Sequence, residues 1–288
     1  MIWSDMTSEL EIESGANDNA SRKAIPFVRR VVRTALLTCF VIAVLYNWQP
    51  QRYRVQAEAV DPGERLTFAD LGLFTSGKTA LAVFGHPDDE SFYMGGTLIR
   101  LANAGVRVHF VALTDGNKTY YPGNDSRQLA QIRRKEMRSV AHQVLAKSLT
   151  FFGRDDGRYR VDDRLARDIQ SKIEELRPDY LFLFEPEAPA QVYHKDHRNA
   201  GVATLEAARR ARFSGRLLAY STSTPNLAID ISGEWPRVDT LLATHASQFS
   251  GSRLELIRTL VFSRNYRDGE LNGYELAETF RVFRLAER

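Results

Sequence analysis

Two short stretches of the chain concentrate groups able to do chemistry. His86-Pro87-Asp88-Asp89-Glu90 sets four ionisable side chains in five positions, directly after the apolar run "ALAVFG" and just before "SFYMGGTL". Far downstream, "YHKDH" carries His194, Asp196 and His197. The chain holds six histidines, and three of them fall in these two stretches. His86 and Asp89 stand three apart across a turn stiffened by Pro87, a spacing that can aim an imidazole and a carboxylate at one point. His194 and His197 repeat that spacing where a helix is predicted to start. Two neutral imidazoles with one carboxylate leave a fourth position open around zinc, the pattern of a catalytic site rather than a closed structural one. The competing reading is helix capping, since carboxylates are stabilised at helix N-termini: Asp88 and Asp89 would form one capping pair and Asp196 another cap. Capping alone does not explain why both clusters lie past the ends of apolar strands.

The elements that must position these groups follow a repeating pattern. "TALAVFG" reads as a strand and "SFYMGGTLIRLANAG" as a helix closed by Gly105; "VRVHFVALT" and "SRQLAQIRRKEMRSVAHQVLA" repeat the pair. "SLTFFG", "DDRLARDIQSKIEELRP" and "DYLFLFEP" continue it, and "DHRNAGVATLEAARRARF" with "GRLLAYS" complete it. Short apolar strands alternating with helices of this length predict a parallel sheet covered by helices on both faces. In such sheets, function gathers beyond the carboxyl ends of the strands, where both charged stretches fall. The tail departs from the pattern: "RVDTLLATHASQF" and "SRLELIRTLVFSRNYR" read as helices, and "GYELAETFRVFRL" alternates like an edge strand.

Composition narrows the function classes. With 288 residues, 43% hydrophobic and 26% charged, the chain is globular in type. A net charge of +3, without a Lys/Arg run interleaved with aromatics, argues against a nucleic-acid partner despite a pI near 9.0. Cys39 is the single cysteine, which excludes an intrachain disulfide and a multi-cysteine zinc site. Residues 1–24 are polar and predicted to be disordered. Residues 25–49 are predicted to form a transmembrane signal anchor around the apolar run "VVRTALLTCFVIAVLYNW" at 31–48. Arg22, Lys23, Arg29, Arg30 and Arg33 precede that run and outnumber Arg52 and Arg54 after it, which places the N-terminus in the cytoplasm and the remainder outside. A signal peptide cleaved near "AEA" at 57–59 and a buried core helix are the alternatives. Residues 50–75 read as a linker and lead-in, and 76–288 as the catalytic domain.

"GHPDDESFYMGGTL" together with "YHKDH" resembles the LmbE-like or PIG-L de-N-acetylase family, from about residue 79 to about residue 250. "LTDGN" at 113–117, "IRRKE" at 132–136 and "HASQ" at 245–248 support the likeness. The resemblance implies a Rossmann-like parallel sheet and a zinc enzyme that removes acetyl from N-acetylglucosamine-containing compounds. It implies that His86, Asp89 and His197 bind the metal and that Asp88 is the general base. By the same likeness, His194 stabilises the oxyanion or protonates the amine, and Asp196 orients or tunes His194. Arg133, with Glu136 as its helical neighbour, and Asp156 would contact the sugar, while His245 is assigned only a structural hydrogen bond. Lys195 stands where many members have proline, and the first 50 residues have no counterpart in soluble members.

These expectations define an anchored amide hydrolase acting on an amino sugar, in free, lipid-linked or glycan-linked form. Tyr120, Tyr121, Tyr193 and Trp235 are candidate faces for a sugar ring, with ordinary packing as the alternative. Two rival classes remain: a hydrolase of another N-acyl compound, using zinc or another divalent ion, and a catalytically idle membrane-tethered binding protein. A nucleotide-binding Rossmann protein is disfavoured, because acidic groups follow the first strand where a glycine-rich phosphate loop belongs.

Overall fold

The computed structural model describes residues 72–118, 126–187 and 195–285. Expectations for the tail at 1–24 and the anchor at 25–49 fall outside these residues, as do His194, Tyr120, Tyr121 and Tyr193. Among the described residues, no helix is long and apolar enough to cross a membrane.

The predicted alternation is present: β1 (Thr79–Phe84), α1 (Asp89–Asn103), β2 (Arg107–Thr114), α2 (Ser126–Gln143), β3 (Ser148–Arg154), α3 (Asp163–Leu176), β4 (Tyr180–Phe184), α4 (Lys195–Arg210) and β5 (Arg216–Tyr220). After them come β6 (Leu227–Asp230), α5 (Trp235–Thr244), α6 (Gly251–Glu270) and β7 (Ala277–Phe283). The seven strands form one sheet in the order β3-β2-β1-β4-β5-β7-β6. Pairs among the first five are parallel, whereas β7 runs antiparallel to both β5 and β6. The chain builds outward from β1 through β2 to β3, then returns to start β4 on β1's other edge. Right-handed crossovers therefore put α1 and α2 on one face and α3 and α4 on the other. The crevice where the order reverses, between the carboxyl ends of β1 and β4, is the favoured place for a ligand.

β1 is buried at all six positions, which is why its sequence shows no alternation. Phe84, Phe110, Phe182, Phe184, Tyr220 and Phe280 are fully buried across the middle of the sheet.

Two details of the tail differ from expectation. β7 lies inside the sheet, not at its edge, and the edge is the four-residue β6, which the sequence pattern did not reveal. The alternation of β7 reflects one covered face: Phe280 and Val282 are buried, while Thr279 and Arg281 are only half-buried. A one-sided antiparallel strand alternates in this way whether or not both its edges are paired. β7 also supports α1, whose backbone breaks from helical geometry at Met94. There the buried Glu278 accepts the N–H groups of Gly96 and Thr97 at 2.9 and 2.8 Å, capping the helix that restarts after the break.

Candidate metal centre and active site

The turn after β1 and the start of α4 meet at the crevice. Gly201 brings α4 close to the sheet, since a Cβ there would lie 2.4 Å from the carbonyl oxygen of Phe184. His197, one turn earlier on α4, stacks on the Phe184 ring at 4.2 Å between centroids, 10° from parallel, which fixes its imidazole plane. Its Nε2 lies 3.2 Å from His86 Nδ1 and 3.1 Å from Asp89 Oδ1. Asp89 Oδ2 accepts the backbone N–H of His86 at 2.8 Å and lies 3.7 Å from His86 Nδ1.

These three side chains fit a divalent cation by both chemistry and spacing. Ligand atoms held tetrahedrally at about 2.0–2.1 Å from zinc stand about 3.3 Å apart, close to the separations seen here. Among the described residues, the metal-ligating groups that converge are His86 with Asp89 and His197, and His86 with Asp156 and Asp196. The second set faces the other edge of the same ring: His86 Nε2 lies 3.2 Å from Asp156 Oδ1 and 3.3 Å from Asp196 Oδ2. A ring nitrogen that donates to a carboxylate leaves its partner nitrogen free to bind metal, and fixes the ring's orientation. Asp196 Oδ2 also accepts the Gly157 N–H at 2.5 Å, and its carbonyl accepts from the Tyr159 hydroxyl.

The electrostatics point the same way. Burial alone would lower the His86 pKa, but hydrogen bonds to Asp156, Asp196 and Asp89 outweigh it and hold the imidazole well above its ordinary range. Burial would raise Asp89, yet His197 and His86 bring it far below the ordinary carboxylate range. A pocket so rich in carboxylates calls for positive charge.

Asp88 stands beside these ligands and outside the converging sets. Its Oδ2 accepts from Arg133 Nη2 at 2.9 Å, and Arg133 also donates to Pro87 O at 2.5 Å and Gly116 O at 3.0 Å. Gly116 has φ +62°, and a Cβ there would lie 2.4 Å from the guanidinium carbon, so this approach requires glycine. Burial raises the Asp88 pKa above the ordinary carboxylate value; Arg133 opposes this and Asp89 adds to it. His86, Asp88, Asp89, Phe92, Tyr93, Lys118, Arg133, Asp156, His197, Gln248, Phe249 and Arg253 line a cleft of about 230 Å³.

Four of the residues singled out in the sequence are placed as follows. Arg133 lines the cleft, but its guanidinium is taken up by Asp88 and two backbone carbonyls. Asp156 also borders the cleft while one oxygen faces His86 and the other accepts the Lys118 N–H at 3.0 Å. Asp196 is fully buried against His86 and Gly157. Trp235 packs on Phe262 at 5.0 Å, in a surface hollow apart from the cleft.

Sequence reasoning left several contacts unread. Glu90 is fully buried; its Oε1 bonds His245 Nε2 at 2.6 Å and accepts the Ser91 hydroxyl at 3.0 Å. Ser247 donates its N–H and hydroxyl to Glu136 at 2.7 and 2.6 Å. The "IRRKE" and "HASQ" stretches were the available signals, but neither indicates its partner.

A mostly parallel α/β sheet with a His/Asp cluster at its switch point defines the class as a Rossmann-like protein with a candidate catalytic metal site. The family model described as PIG-L, GlcNAc-PI de-N-acetylase, matches residues 81–208. It is 29% identical to the probable N-acetyl-alpha-D-glucosaminyl L-malate deacetylase 2 of Bacillus anthracis, over 69% of this chain and 91% of that protein. It is 27% identical to the diacetylchitobiose deacetylase of Thermococcus kodakarensis, over 72% of this chain and 84% of the relative. The solved N,N'-diacetylchitobiose deacetylase of Pyrococcus horikoshii superposes with a TM-score of 0.68 at 27% identity, covering 72% of this chain and 84% of that one.

Proposed function

We propose that this protein is a zinc-dependent N-deacetylase that hydrolyses the acetamide of an N-acetylglucosamine-type sugar. The observation that carries the reading is the convergence of His86 Nδ1, His197 Nε2 and the Asp89 carboxylate beside a separate carboxylate, Asp88. The relatives' names, all amino-sugar deacetylases, supply the substrate class. His86, Asp89 and His197 would hold the metal, with Asp156 and Asp196 orienting His86 from behind. Bound there, a zinc ion polarises the acetyl carbonyl and brings the pKa of water in its shell to about 7.

Asp88 takes the proton from the attacking water. Its raised pKa suits a base that must also release that proton later. Arg133 holds the Asp88 carboxylate in place through Nη2. His194, which lies outside the described residues, is assigned the donor role toward the developing oxyanion and the leaving amine. A sugar ring would rest in the cleft against Phe92, Tyr93 and Phe249, with Asp156 and Arg253 bordering its hydroxyls.

The anchor belongs to the same proposal. Residues 25–49 would span the membrane once, leaving the domain outside the cytoplasm and close to lipid- or glycan-linked amino sugars. Protease accessibility in intact cells tests that topology.

Metal analysis of the full chain, coupled to free-amine release from a panel of N-acetylated sugars with Asp88→Ala as control, tests the chemistry. Bound metal and amine release that disappears in the control are expected. Metal-loaded protein that releases no amine from any sugar overturns the deacetylase reading.

A further inference from the structure

Asp88 has φ 130° and ψ −22°, a backbone conformation that side-chain-bearing residues rarely adopt and that glycine tolerates. The position cannot be glycine if its carboxylate is the base, so something must hold the turn in that shape. Four polar links close a ring around it. The Asp88 N–H donates to Glu90 Oε2 at 3.0 Å, and the other Glu90 oxygen bonds His245 Nε2 at 2.6 Å. Two residues on, Ser247 donates twice to Glu136 on α2. α2 also carries Arg133, whose guanidinium returns to Pro87 O and the Asp88 carboxylate.

Nothing in the ring beyond Asp88 and Arg133 reaches the cleft. Glu90 and His245 are both fully buried, and neither belongs to the converging ligand sets. The His245 carbonyl accepts the N–H groups of Gln248 and Phe249 at 2.9 and 2.8 Å, so the same turn sets two residues of the cleft wall. Each of the "HPDDE", "IRRKE" and "HASQ" stretches supplies two or more members.

We propose that the Glu90–His245 pair and the Glu136–Ser247 contact form a positioning frame that holds Asp88 in its strained backbone and aims its carboxylate at the attacking water. The inference rests on the deacetylase reading for its catalytic consequence, while its mechanical part is independent of that reading. Glu90, Glu136, His245 and Ser247 are positioning residues and touch no substrate.

The test uses the full chain and four readouts: kcat, KM, bound metal per chain and thermal midpoint. His245→Ala is expected to lower kcat ten- to a hundredfold, and Ser247→Ala about threefold to tenfold, with KM within twofold and metal content at the wild-type level. His245→Gln, which can still donate to Glu90, should recover part of the loss. If His245→Ala does not fold, His245→Gln and Ser247→Ala carry the kinetic comparison. Wild-type kcat in the folded variants, or a loss that follows metal content, overturns the frame.

A second arm is independent of turnover. If the frame restrains strain at residue 88, Asp88→Gly melts above Asp88→Ala, the reverse of the usual order. Ser247→Ala then lowers the midpoint less in the Asp88→Gly background than in wild type. An Asp88→Gly protein that melts below Asp88→Ala, or an equal effect of Ser247→Ala in both backgrounds, overturns the proposal. Were wild type itself to release no amine, the deacetylase reading would fail and this second arm would still decide the frame.

Discussion

On the β7 side of the sheet, Arg281 grips the buried Glu185 through Nε and Nη2 at 2.7 and 2.5 Å, and Glu278 takes two helix N–H groups. At the β1–β4 crevice, Asp89, Asp156 and Asp196 all turn toward a single histidine. Both regions bury carboxylates, yet the first gives each one a paired set of donors, a guanidinium or two helix N–H groups, whereas each carboxylate of the second has one backbone N–H and shares its imidazole partners with the others. A buried charge with its own partner holds structure together. Three carboxylates around two imidazoles leave negative charge that a bound cation can neutralise. The contrast separates buried charge that belongs to the fold from buried charge that belongs to a ligand.

The comparison can be broken most sharply at the crevice. Asp88→Asn keeps the shape of the side chain but removes the base, so kcat is expected to fall by about a hundredfold to ten-thousandfold. Metal content should be unchanged, and steady-state amine release with metal analysis measures both. Activity within tenfold of wild type would remove Asp88 from the mechanism.

Across the sheet, Arg281→Ala strands Glu185 in a buried setting and should cost about 3–5 kcal/mol in urea unfolding. Metal bound per folded chain should not move, because this ion pair does not contribute to the cation site. A stability loss below about 1 kcal/mol would mean that Glu185 finds other donors, and the contrast would weaken.

Zinc supplies the next test. At about a hundred times its dissociation constant, a ligand bound only by the folded state adds about 2.7 kcal/mol of stability. Wild type should therefore melt higher with zinc than with a chelator, whereas His197→Ala should not respond. Equal responses would show zinc bound elsewhere.

The smallest effect is a shift of pH dependence. Burial holds Asp88 above its ordinary range and Arg133 pulls it back. Arg133→Gln removes the opposing charge, so the Asp88 pKa rises further. A base works only when deprotonated, so the acid limb of kcat/KM should move to higher pH in this variant. A limb that stays in place, or moves to lower pH, would show that Arg133 does not tune Asp88.

Much of this architecture is legible along the chain. The unbroken apolar run of β1 reads as a doubly covered strand, Gly105 closes α1, and Pro178 follows α3. Those signals are local: hydrophobic period, caps and breakers act over a few residues. β6 escaped notice because four residues are too few for a period to show, and the alternation of β7 states which face is covered but not who its neighbours are.

By itself, the sequence determined that charge gathers after two strands, that its residue types suit zinc, and that the strands alternate with helices. Tertiary structure alone decided that Asp196 faces His86, that Arg133 grips Asp88, and that Glu90 meets His245 across 155 residues. Such pairings depend on strand order, register and the depth at which helices seat on the sheet. Local pattern dictates which side chains are polar or buried; the assembled sheet dictates which of them come within hydrogen-bonding reach.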